Sequence, residues 1–410
     1  MRYACGCGID GHAKMLVACL LKAGKKEVRT FSTMTEDLLR LRDWLTQAGC
    51  THVAIESTGV YWRPVFHILE GALEVILTNA RDANGDQARK TDVIEAEWLA
   101  DLSRHGLLKP SFIPPRPIRE LRELTRYRES LVREQTALAN RIQKLSERAN
   151  LKLSQVASDA LGVSGKAMLR AVATGETDAE KMSHLARRTL KRKPPQLQQA
   201  LEGRFTQAQR WILGQLLDQY DQVEAALQRA EERIKEEVES SADPFVPDAV
   251  QLLDAIPGVG ETVAQISVAE IGVAMNRFPT AHHLGSWAGM CPGNNESAGK
   301  RKRGKTTKGS RYLRAALVQA AWAARHQTGT YLAAQYKRLV KRMGKKKALV
   351  AVGHSILVMV YHVLQDRLRY QELGGDYFDR RNVNRQRKRL IRQLEALGVT
   401  VTVEEVKEAA

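Results

Sequence analysis

Acidic side chains are in deficit. The 410-residue chain has 64 Lys and Arg against 46 Asp and Glu, a formal charge of +18. The deficit is local. Residues 1–100 hold 12 basic and 13 acidic side chains, so the remaining 310 residues carry the whole positive excess. A near-neutral N-terminal part joined to a basic remainder points to a polyanion partner, with nucleic acid first in line and a merely basic soluble surface as the plain alternative. Cysteine is also scarce: five residues with no Cys-x-x-Cys pair exclude a disulfide scaffold and argue against structural zinc. Long hydrophobic runs are nearly absent. The one apolar stretch, residues 348–364, contains His354 and His362 and is short for a bilayer span, so a buried helix is expected there. With no N-terminal signal pattern and no membrane segment, the expected setting is cytoplasmic, with reduced thiols.

At this length two or three domains are expected. In the first hundred residues, apolar runs at 4–9, 15–21, 27–31, 51–55 and 74–77 read as strands. Residues 36–47, 64–69 and 92–105 have helical spacing, which gives a mixed α/β domain over residues 1–112. The Pro-rich break at 113–117 ends it. Leu124, Leu131, Leu138 and Leu145 then recur every seven residues, with Leu121 and Ile142 alongside and Arg128 and Gln135 as polar interruptions. A second seam runs through Leu213, Leu216, Tyr220, Val223, Leu227, Ala230 and Ile234. These suit a coiled-coil or helical-hairpin domain over 117–240, pairing within the chain or with a second protomer. A mainly helical domain over 248–372 and a charged tail over 373–410 complete the division. In that domain helices are expected at 252–255 and 262–271, and further on at 311–326, 330–343 and 346–372.

The chemistry-bearing residues fall at both ends. Asp10 follows the first strand and Glu56 the fourth, while Asp92 and Glu95 lie three apart at the start of a helix and so share a side. Four converging carboxylates repel unless a cation neutralises them, and hard oxygen donors suit Mg²⁺ or Mn²⁺. Two such ions roughly 4 Å apart stabilise the attacking and leaving oxygens of phosphodiester transfer. The plain alternatives are local: Asp10 as a turn residue, Ser57 or Thr58 capping a helix beside Glu56, and Thr91 or Asp92 as an N-cap with Glu95 closing a capping box. Glu97 and Asp101 read as solvated surface. Near the other end, seven of the twelve residues 300–311 are basic (Lys300, Arg301, Lys302, Arg303, Lys305, Lys308 and Arg311) and none is acidic. Such a loop contacts phosphates. Ser297 at its edge is a candidate nucleophile on a phosphodiester, or an ordinary loop hydroxyl. Gly258 and Gly260, in Pro257-Gly258-Val259-Gly260, suit either a phosphate-binding helix-hairpin-helix turn or a plain interhelical turn. Two further basic blocks, 337–347 and 380–392, each hold seven Lys or Arg.

Taken in order, Gly8-Ile9-Asp10, Glu56-Ser57-Thr58-Gly59-Val60-Tyr61, the segment from Lys90 to Ala100, Ile256-Pro257-Gly258-Val259-Gly260, Glu296-Ser297-Ala298-Gly299-Lys300 and the segment from Lys308 to Arg314 resemble the DEDD transposases of the insertion-sequence one-ten family, which includes the Piv-type DNA invertases. The resemblance spans residues 4–325. It implies a RuvC-like (ribonuclease H-like) N-terminal domain, a coiled-coil middle and a C-terminal transposase domain. It implies that Asp10, Glu56, Asp92 and Glu95 hold Mg²⁺ (or Mn²⁺) and that Ser297 forms a phosphoserine link to DNA. It also implies that basic residues including Arg314 bind nucleic acid. The partners it implies are donor and target DNA and a non-coding bridge RNA, with no membrane. Homodimers would assemble into tetramers in which the two kinds of domain share composite sites. The sequence departs at the fourth acid, usually Asp and here Glu95, one methylene longer. Ser286 and Ser310 are alternative nucleophiles. The rival readings are a RuvC-like, metal-dependent Holliday-junction nuclease that cuts with activated water and a non-catalytic nucleic-acid-binding protein. An actin-like phosphotransferase, suggested by Gly8-Ile9-Asp10-Gly11, lacks the adenosine-site glycine pattern.

Overall fold

A computed structural model describes residues 3–22, 24–57, 59–79, 91–293, 296–297, 300–301, 306–381, 383–398 and 400–402, with residues 296–297, 300–301, 383–386 and 389 described by their backbone alone. The chain divides into two compact units, Met1–Pro114 and Pro115–Ala410.

The first unit is built on a five-stranded mixed sheet. Its strands are β1 (Cys5–Gly11), β2 (Met15–Lys22), β3 (Lys25–Ser32), β4 (His52–Glu56) and β5 (Glu74–Thr78). The sheet order is β3-β2-β1-β4-β5; β1–β2 and β2–β3 pair antiparallel, and β1–β4 and β4–β5 pair parallel. The helices are α1 (Thr35–Gln47), α2 (Trp62–Leu69) and α3 (Asp92–His105). Side chains alternate across a strand, so β1 presents two faces. Cys5, Cys7 and Ile9 enter a core with Leu38, Leu41 and Leu45 of α1. Gly6 and Gly8 lie on the other face, under α3. A side-chain carbon on Gly8 would sit 2.1 Å from the Ala96 carbonyl oxygen and 2.4 Å from the Ala100 nitrogen, so only glycine permits this approach. Asp10 shares the parity of Gly6 and Gly8. The expected β/α pattern of this region is therefore observed, with Asp10 inside the strand rather than beyond it.

Among the described residues the second unit is helical apart from a two-residue ladder and an isolated bridge between Pro292 and Thr306. Two long helices, α4 (Arg116–Arg148) and α5 (Gln207–Glu239), pack on each other within the chain. Leu131 and Leu138 meet Val223 and Ala230, while Ile142 and Leu145 share a core with Leu213 and Leu217, so the pair is antiparallel. Arg128, a polar interruption in the seam, donates two hydrogen bonds to Glu231 across it (2.6 and 2.9 Å). Short helices between residues 153 and 201 cap the hairpin, and residues 187–193 form an exposed basic stretch among them.

The remaining main helices are α6 (Phe245–Asp254), α7 (Glu261–Ile271), α8 (Ala281–Trp287), α9 (Arg311–Ala324), α10 (Tyr331–Met343) and α11 (Lys345–Asp366). Among the described residues α11 alone is long and apolar enough to cross a membrane, but its Ala348, Val352, Ile356 and Val360 are fully buried in this unit. It stops at Asp366 rather than reaching 372. Arg367 takes a left-handed backbone conformation (φ 55°) and lays its guanidinium 4.3 Å from the Phe245 ring centre. Helix α6 begins at Phe245, three residues ahead of the domain start expected at 248.

Candidate functional site

Asp10 is 5% exposed, and its Oδ2 has no hydrogen-bond partner among the described residues. Leaving a buried carboxylate oxygen unpartnered is costly. Three acids surround it. Glu56 ends β4, and the parallel register Ile9–Ile55 sets it beside Asp10. Asp92 and Glu95 come from the first turn of α3, which the glycine face of β1 admits. Burial is the largest influence on Asp10 and raises its carboxyl pKa from 3.8 to about 6; His12 opposes this, and Glu95, Asp92 and Glu56 each add to the rise. Glu95, Asp92 and Glu56 thus each lie near enough to Asp10 to influence its carboxyl.

The tightest grouping is Asp10, His12 and Asp92, whose ligand atoms all lie within 4.8 Å of one another. His12 was not singled out in the sequence, although it continues the period of two that joins Gly8 and Asp10. Its Nε2 lies 3.5 Å from Asp10 Oδ2 and 3.5 Å from Asp92 Oδ1.

The local alternatives are resolved in part. Thr91 is the N-cap of α3, its hydroxyl accepting from the Ile94 N–H (3.4 Å). Glu95 is thus one residue beyond the capping-box position. Glu97 pairs with Lys26 on β3, and Asp101 lies 3.4 Å from His105, so neither stands as an unpartnered solvated acid. Helix α2 has Tyr61 at its N-cap with no side-chain cap bond, while the Ser57 N–H donates to Thr78 O (2.9 Å). Thr58 lies outside the described residues.

In the second unit, Ser297 belongs to a short antiparallel ladder, β6 (Glu296–Ser297) with β7 (Lys300–Arg301), in which Ser297 pairs with Lys300. Lys302, Arg303 and Lys305 lie outside the described residues. Lys308 and Arg311 are exposed and Arg314 is half-buried. The two alternative serines differ from each other. Ser286 is exposed near the end of α8. Ser310 is committed: it caps α9 by accepting from the Leu313 N–H (3.3 Å) and donates its hydroxyl to Glu270 Oε2 (2.8 Å).

Glu270, 1% exposed, anchors a network that the sequence did not reveal. Arg126 of α4 donates to both its oxygens (2.7 and 2.9 Å), and Arg122 donates to the Ala269 and Glu270 carbonyls (2.9 and 2.6 Å). The Tyr312 ring stacks against Arg126 (4.6 Å) and Arg311 (4.7 Å). The start of α9, where the basic arm ends, is thereby tied to α4 and α7.

Gly258 has a packing role. At φ +84°, an added side-chain carbon would lie 2.4 Å from Ala320 O on α9. Gly260 faces open space ahead of α7, whose first residue is Glu261.

Residues 7–149 match a family model of DEDD transposases of the IS110 type, and residues 250–337 match the model described as transposase of the IS116/IS110/IS902 family. A mixed sheet carrying gathered acids, followed by a basic helical unit, thus belongs to a transposase, an enzyme class that cuts and joins DNA. The two matches cover most of the first unit and the part of the second that holds Ser297. The chain belongs to the IS110 family, the transposases of insertion sequences, with DNA as substrate and divalent metal in use. No curated protein matches the chain.

Proposed function

We propose that the chain is a site-specific serine recombinase with a RuvC-like first unit, in which Asp10, Glu56, Asp92 and Glu95 hold Mg²⁺ or Mn²⁺ and Ser297 is the nucleophile. The observation that carries the metal assignment is the buried Oδ2 of Asp10, which has no hydrogen bond among the described residues and feels three further acids, a donor set that suits a hard divalent cation. Sheet order β3-β2-β1-β4-β5, with Asp10 and Glu56 on adjacent central strands, supports the RuvC-like reading. A bound divalent ion would offset the repulsion among the acids and polarise a phosphodiester oxygen.

The chain's own residues do the rest. Ser297 Oγ forms an ester bond to phosphorus, and the displaced sugar oxygen leaves as a hydroxyl, so the strand stays joined to protein. Lys300, Arg301, Lys302, Arg303, Lys305, Lys308, Arg311 and Arg314 neutralise phosphates around it, with Gly258 and Gly260 near a backbone approach. Ser310 is disfavoured as nucleophile because its hydroxyl already serves Leu313 and Glu270. In the same reading a bridge RNA pairs with donor and target DNA. Homodimers assemble into tetramers, and the domains divide as 1–112, 117–240, 248–372 and 373–410.

The test is peptide mapping of protein trapped on DNA, with guide RNA and Mg²⁺ present. A nucleotide remnant on Ser297 is expected. A remnant on Ser286 or Ser310, or cleavage without any protein-linked strand, would contradict the assignment; the last outcome would favour a junction nuclease.

A further inference from the structure

We propose that His12 supplies a nitrogen ligand to the divalent-metal site formed with Asp10 and Asp92. The proposal rests on the reading of those acids as metal ligands.

His12 Nε2 is equidistant from two carboxylate oxygens, at 3.5 Å from Asp10 Oδ2 and 3.5 Å from Asp92 Oδ1. Donors around one octahedral ion with bonds of about 2.1 Å lie about 3 Å apart when adjacent and about 4 Å apart when opposite. Both His12 separations fall between those limits, and all three ligand atoms lie within 4.8 Å of one another. A counter-ion role fits less well. An imidazolium hydrogen-bonded to a carboxylate closes to about 2.8 Å, whereas His12 Nε2 stands 3.5 Å from each carboxylate oxygen, within ion-pair distance but without a hydrogen bond to Asp10 Oδ2.

The backbone places His12 for this role. Its N–H donates to Met15 O (2.9 Å) and closes the β1–β2 connection, so the residue projects from a hairpin end next to Asp10. A side chain half exposed at 54% leaves room for exchangeable ligands. Imidazole is a softer donor than carboxylate and suits first-row transition metals better than Mg²⁺. His12 should therefore bias the site toward Mn²⁺.

Electron-spin-echo spectroscopy of the full chain, with Mn²⁺ as probe, tests this. Wild-type protein is expected to show nitrogen modulation that changes from the ¹⁴N to the ¹⁵N pattern when its histidines are ¹⁵N-labelled, a control that needs no substitution. His12→Gln should keep Mn²⁺ on the acids, lose the modulation, and bind Mn²⁺ roughly tenfold more weakly, or worse. Asp10→Asn should lose the site. Mn²⁺ held in an Asp10-dependent way with no histidine nitrogen, or with modulation that survives His12→Gln, would overturn the ligand assignment and leave the acid site standing. Wild-type protein with no Asp10-dependent Mn²⁺ would sink both.

Discussion

Asp10 links fold and chemistry at the scale of a single residue. Its place on β1 buries it, and this burial, opposed by His12 and reinforced by Glu95, Asp92 and Glu56, raises its carboxyl to about 6 against an ordinary 3.8. At Asp10 the folded state thus binds more protons than the unfolded state between about pH 4 and pH 6, so this residue's contribution to stability is full below that window and is lost as pH rises through it. The loss is at most about 3 kcal/mol. Denaturant titrations of metal-free protein should show this fall, and Asp10→Asn should abolish it. A wild-type curve parallel to that of the variant would contradict the burial of Asp10. Gly258 and Gly260 make a second, paired case. Gly258→Ala meets the α9 backbone at a positive φ and should cost roughly 2–4 kcal/mol. Gly260→Ala meets nothing within 4 Å and should leave the thermal midpoint nearly unchanged. If both substitutions weakened only nucleic-acid binding, the turn would serve phosphate contact and not packing.

Elements were legible in the sequence where a period repeated. Alternation and leucine spacing marked all five strands and the helices of the first unit, with α3 beginning and ending at Asp92 and His105 as expected. What failed to show was whatever depends on a distant partner. The leucine seams of α4 and α5 carry no sign of what covers them, and only the fold shows that they cover each other. Arg128 reads as a defect until Glu231 is opposite it. At the end of α11, Arg367 turns left-handed and lies over Phe245, a contact far outside any local window. His12 was missed because a lone histidine past a strand end has no periodic signature beyond its parity with Asp10. The Glu270 network is the largest such omission, since Arg126, Glu270 and Ser310 come from three separated segments. Breaking one partner of a buried pair leaves an uncompensated charge, so Glu270→Ala should destabilise the chain by about 3–5 kcal/mol in urea. A change below about 0.5 kcal/mol would show that the network carries no stability.

Charge is divided along the whole molecule: the first hundred residues are near neutral and the rest hold the cationic excess. Nucleic-acid affinity should therefore fall steeply with salt. Six to ten phosphate contacts correspond to a loss of about 10³–10⁵ between 50 and 200 mM. Lys308→Ala and Arg311→Ala should each lower the salt slope by about one, as read from binding titrations; slopes equal to wild type would remove these residues from the interface. In the proposed function, Asp10 of the first unit and Ser297 of the second are both required for strand transfer. A denaturing gel of protein incubated with guide RNA, DNA and Mg²⁺ tests this requirement most directly. Wild type should yield a covalent protein–DNA band that both Asp10→Asn and Ser297→Ala lose while retaining DNA binding. A band of wild-type intensity in either variant would contradict the claim.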